Sequence, residues 1–199
     1  KYGASALGLV SEMPSGPGVI SEETIAEIAA AVPPGVATFL LTSKQDAESI
    51  IAQQRRCWVN TLQLVDRLER GSHDDLRNAL SGIKIVQVIH VTGEESVTDA
   101  ETVAPHVDAL LLDSGNPALK VKELGGTGRT HDWHLSKIIR ERVSVPIYLA
   151  GGLKPDNVRE AIRQVGPFAL DICNGVRTDG KLDESKLAVF FAQVKSSII

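Results

Sequence analysis

The sequence predicts an α/β fold of the (β/α)8 barrel class, and three observations carry that expectation. Short apolar runs alternate with amphipathic stretches along the whole chain, the residues able to carry chemistry follow several different apolar runs, and no Gly-x-Gly-x-x-Gly follows the first of them. Strand followed by helix, repeated, means right-handed βαβ units and a parallel sheet. An open doubly wound sheet and a closed barrel both satisfy that pattern. The missing dinucleotide fingerprint weakens the first, and chemistry spread over several strand ends favours the second.

The expected strands are residues 6–10, 37–41, 61–65, 83–91, 109–113, 146–150 and 169–173. They are too short for most helices, carry turn signals at their ends, and are apolar enough to be covered on both faces. The first helix is expected after Ser21, an N-cap followed by Glu22 and Glu23, and Pro33-Pro34-Gly35 ends it. Residues 46–57, 73–80, 94–106, 132–142, 156–165 and 183–195 read the same way. A closed barrel needs eight strands. The opening Lys-Tyr-Gly-Ala reads as the tail of a helix. The expectation is therefore a TIM barrel with strand 1 and most of helix 1 absent from this chain. Residues 1–199 would form a single (β/α)-barrel domain, N-terminally incomplete. The longest connection, residues 114–131, is rich in Gly, Asn and Pro. Loops of that length are usually functional.

Composition narrows the function. The 199 residues are 43% hydrophobic but only 4% aromatic, so the core must be built from Ile, Leu, Val and Ala. Net charge is −4 and no basic block appears, which leaves nucleic-acid binding without support. An anionic substrate would need local donors. Cys57 and Cys173 show neither metal-ligand spacing nor a disulfide framework, which fits a reducing cytoplasm. No apolar run is long enough to span a membrane.

Three glycine blocks stand out. Gly125-Gly126-Thr127-Gly128 could bring backbone N–H groups and a hydroxyl to an anion, or could be a tight turn. Gly151-Gly152 ends one strand, and Asn174-Gly175 follows the last. Barrels often bind phosphate at the loops after strands 7 and 8, so the three blocks together point to a phosphorylated small-molecule partner. Asp113 ends the run Ala-Leu-Leu-Leu-Asp. Partial burial there would raise its pKa and make it a general acid, whereas the other reading is a loop cap. Asp171 is expected to be buried or structural rather than catalytic. Gln63 and His90 could face the mouth of the barrel. Cys57 is expected in the core, Cys173 as a free buried thiol, and Trp133 packed between helix and barrel.

Leu110-Leu-Leu-Asp113-Ser, Gly125-Gly-Thr-Gly-Arg-Thr-His-Asp-Trp133, Leu149-Ala-Gly-Gly-Leu-Lys-Pro-Asp-Asn157-Val and Asn174-Gly-Val, in that order, resemble phosphoribosylanthranilate isomerases. Gly3-Ala-Ser-Ala-Leu-Gly-Leu-Val and Ile20-Ser-Glu are similar to the second βα unit of that family. The resemblance implies an Amadori rearrangement in tryptophan biosynthesis, with no metal or organic cofactor. It implies that Asp113 protonates the furanose ring oxygen and that the glycine blocks hold the 5-phosphate. It assigns the base to a cysteine on the strand expected to precede this chain. The sequence departs from the family at Ser15-Gly-Pro-Gly18, where an arginine for the anthranilate carboxylate is expected. It departs again at Val65-Asp66 and at Cys173 to Arg177, and Arg177 could supply the lost cation from another loop. These departures keep two alternatives open: a phosphosugar isomerase with another aglycone, and a noncatalytic phosphate-ligand binding protein.

Overall fold

A computed structural model describes residues 2–197. Seven parallel strands form one curled sheet in sequence order: β1 (Ala6–Val10), β2 (Ala37–Thr42), β3 (Thr61–Leu64), β4 (Lys84–His90), β5 (Ala109–Asp113), β6 (Ile147–Leu149) and β7 (Ala169–Leu170). Between them run α1 (Glu22–Ala31), α2 (Ala47–Cys57), α3 (His73–Ala79), α4 (Glu95–Val103), α5 (Trp133–Arg142) and α6 (Val158–Val165). A small antiparallel hairpin, β8 (Arg177–Thr178) with β9 (Lys181–Leu182), precedes α7 (Glu184–Lys195). This is the expected α/β barrel architecture, with β1 and β7 as the two edges of the sheet.

The alternation of side chains sorts the apolar residues into two layers. Leu40, Leu62, Ile85, Leu110, Leu112 and Leu149 point outward, are fully buried, and pack against the helices. Each contributes roughly 1.5–3 kcal/mol relative to exposure. Phe39, Val65, Val86, Val88, Leu111 and Ala150 point inward and fill the barrel. Both faces are covered, which is why the strands read as continuous apolar runs in the sequence.

The helix starts follow from capping. Ser21 Oγ accepts from Thr24 N at 3.2 Å, and Asp132 accepts from His134 N at 2.8 Å. Ser72 and Asp75 form a reciprocal capping box. The expected helix at 94–106 is split into α4 and a 3-10 turn at 104–106, because Pro105 lacks the N–H that would continue it. The expected strand at 169–173 is cut to two residues. Asp171 N makes the last ladder bond, to Leu149 O at 2.8 Å, and the chain then turns into a 3-10 turn at 174–176. This puts Asp171 beyond the strand rather than inside it.

Candidate active site

The C-terminal ends of the strands enclose a cavity of about 260 Å³. All three glycine blocks line it: Gly125, Gly126, Thr127 and Gly128 from the β5–α5 connection, Gly151 and Gly152 after β6, and Asn174 and Gly175 after β7. The blocks are tied together. Asn174 Nδ2 donates to Gly126 O at 2.5 Å, Asn157 Nδ2 donates to Gly152 O at 3.0 Å, and the Ser114 and Thr127 hydroxyls are 2.8 Å apart. Gly152 has φ +61, and a Cβ there would stand 2.5 Å from the carbonyl carbon of Arg129. The loops can approach this closely only where a side chain is missing. Among the described residues, the backbone N–H groups of Gly126, Gly128, Gly151 and Gly152 donate no hydrogen bond. Unspent donors lining one cavity are chemically suited to an anion.

Asp113 is the last residue of β5 and is 6% exposed. Burial pushes its carboxyl above the ordinary range, against the opposing pull of the Ser114 N–H, the His90 ring and the Gly115 N–H. Asp171 lines the same cavity; burial first, and then the charge of Asp113, push its carboxyl up to about 6. Cys173 and Arg177 line the cavity after β7, and burial holds the Cys173 thiol above its ordinary range against the opposing pull of Arg177. Two carboxyls in one cavity, Asp113 buried and Asp171 partly exposed, resist ionising together, so the pair holds its last proton to higher pH than either group would alone. Asp171→Asn removes the anionic neighbour. The carboxyl that remains then ionises at lower pH, and the alkaline limb of kcat/KM should move to lower pH. A pH–rate profile with an unmoved limb would refute the pairing.

The chain matches the family model for N-(5'-phosphoribosyl)anthranilate (PRA) isomerase over residues 4–193. The chain belongs to the phosphoribosylanthranilate isomerase family. It is 32% identical to the N-(5'-phosphoribosyl)anthranilate isomerase of Methanosarcina acetivorans and 34% identical to that of Haloferax volcanii. Both alignments cover 98% of this chain and 85% of the relative. The crystal structure of phosphoribosyl anthranilate isomerase from Thermotoga maritima superposes with a TM-score of 0.78 at 29% identity, covering 98% of this chain and 90% of that one. A phosphoribosyl anthranilate isomerase in complex with reduced 1-(o-carboxyphenylamino)-1-deoxyribulose 5-phosphate superposes with a TM-score of 0.75 at 27% identity, covering 98% of this chain and 89% of that one.

Within this isomerase fold, most of the residues singled out in the sequence meet at the cavity. Gln63 lines it and is 5% exposed. Arg177 lines it from the start of the hairpin, and its Nη2 lies 3.6 Å from the point where a Cβ at Gly18 would stand. His90 is not among the residues lining the cavity; its Nε2 is held 2.9 Å from Val65 O and its ring lies against Gly115. Cys173 is a free thiol as expected, half-buried rather than fully buried, and it lines the cavity. Cys57 is fully buried, and burial pushes its thiol up to about 11. Trp133 packs on the helix-side core as expected.

The departure at Val65-Asp66 has a structural use. Asp66 is buried and pairs with Lys122 Nζ at 2.5 Å, while Ser15 Oγ donates to Lys122 O at 2.7 Å. The long β5–α5 connection is thereby fastened to two other loops at the barrel mouth. The sequence reading missed this latch, since its members are far apart in the chain.

Proposed function

We propose that this protein isomerises N-(5-phosphoribosyl)anthranilate to 1-(2-carboxyphenylamino)-1-deoxyribulose 5-phosphate by general acid/base catalysis. Within the family already established, one observation carries the reading: a buried carboxyl, Asp113, shares a cavity with three glycine blocks, two of which offer unspent N–H groups at Gly126, Gly128, Gly151 and Gly152. The 5-phosphate binds the glycine blocks and anchors the ribose, so that binding energy remote from the reacting carbons serves the chemistry. Asp113 donates its proton to the furanose ring oxygen. The C1′–O bond breaks, and the aglycone nitrogen lone pair closes a protonated Schiff base at C1′. Loss of the C2′ proton moves that electron pair into a C1′–C2′ double bond and neutralises the nitrogen. Return of a proton to C1′, with loss of the C2′ hydroxyl proton, leaves the ketone at C2′. Proton balance is closed within the cycle, so the net reaction is an isomerisation. The family resemblance assigns the C2′ proton to a cysteine on a strand preceding β1.

The reading places the protein in tryptophan biosynthesis in the cytoplasm. No helix among the described residues is long and apolar enough to cross a membrane. Expression of the full-length gene in a tryptophan auxotroph lacking this isomerase should restore growth without tryptophan. A folded, expressed protein that leaves the strain dependent on tryptophan would favour an isomerase with another aglycone.

A further inference from the structure

The ligand of the proposed reaction carries an anion at each end, a phosphate and an aryl carboxylate. The glycine blocks supply backbone donors for one of them. A second anion needs a cation, since the cavity already holds the carboxyls of Asp113 and Asp171. Among the described residues lining that cavity, Arg177 is the only Lys or Arg. The β8–β9 hairpin holds it in place: its Nη1 donates to Gly180 O at 2.8 Å, and its backbone oxygen accepts from Lys186 Nζ at 2.9 Å. Nη2 is left against Gly18, where no side chain fills the space. Among the described residues Arg177 forms no ion pair with an Asp or Glu. A half-buried guanidinium that faces a cavity and is anchored through one nitrogen keeps a planar donor edge for a ligand carboxylate.

We propose that Arg177 recognises the aglycone carboxylate and so selects a carboxyphenylamino group over an uncharged phenylamino group. The proposal rests on the isomerase reading for the identity of the ligand. Arg177 is a specificity residue, outside the proton transfers, and its signature is a difference between two ligands.

The experiment is calorimetric titration of full-length wild type, Arg177→Gln and Arg177→Lys with reduced 1-(o-carboxyphenylamino)-1-deoxyribulose 5-phosphate and with its phenylamino counterpart lacking the carboxylate. Gln keeps a donor for Gly180 O, so the hairpin should survive. Arg177→Gln is expected to weaken the carboxylated ligand roughly 10- to 100-fold, as loss of a charge-assisted hydrogen bond does, and to leave the other ligand unchanged. Arg177→Lys should recover part of the loss. Equal weakening of both ligands would overturn the proposal and assign Arg177 to the phosphate or to the hairpin. Weakening of neither would also overturn it. A wild type that prefers the carboxylated ligand yet does not turn over substrate would sink the isomerase reading and leave the Arg177 assignment standing.

Discussion

Asp113→Asn should lower kcat by about 10²- to 10⁴-fold, the usual contribution of a positioned acid, while ligand binding and thermal stability hold. Asn has nearly the shape of Asp, and its Oδ1 can accept from the Ser114 and Gly115 N–H groups that face the carboxyl. Its amide cannot give up a proton to a ring oxygen. Nor should the fold suffer: Asp113 is 6% exposed, and among the described residues no Lys or Arg forms an ion pair with it. A buried carboxyl without a cationic partner costs stability in its charged form, so a neutral isostere is neutral or favourable. The measurement is kcat alongside affinity for the reduced product analogue. A variant with kcat within a few-fold of wild type would remove Asp113 from the chemistry.

Gly175→Ala should damage the phosphate site more than any other single methyl group. A Cβ at position 175 would fall inside the van der Waals envelope of Leu153 O and lie against the Leu153–Lys154 backbone. Both obstacles are backbone, so neither can rotate away. The 3-10 turn at 174–176 must shift, and Asn174 Nδ2 then loses its bond to Gly126 O. Overpacking of this kind costs typically 1–3 kcal/mol, or several degrees in Tm for a chain of this size. KM should rise at least roughly 10-fold, with kcat at saturation far less affected, because the variant loses an anchor rather than the acid. An unchanged KM would mean that the phosphate sits elsewhere.

The sequence made most of the strands and one half of the site readable, for a physical reason. Strands covered on both faces are apolar throughout, so Leu110-Leu-Leu-Asp113 announces both a buried strand and a carboxyl at its end. The glycine blocks were readable because close loop packing excludes side chains, as Gly152 and Gly175 show. For His90, alternation fixes only the face of the strand, shared with Val86 and Val88, and cannot reveal that Val65 O captures the ring. The hairpin that presents Arg177 was missed although it left a local signal. Asp179-Gly180 is a two-residue hairpin turn, and both residues adopt the left-handed conformation it requires, with φ 50 and 74. The Asp66–Lys122 pair left no such signal, since it depends on two loops meeting across the mouth.

The most direct measurement is turnover of N-(5-phosphoribosyl)anthranilate by purified full-length protein, with the product identified as the 1-deoxyribulose 5-phosphate. The account predicts conversion that Asp113→Asn slows by about 10²- to 10⁴-fold and that the phosphate-bearing product analogue inhibits competitively. Folded protein that binds the analogue and gives no conversion would contradict it.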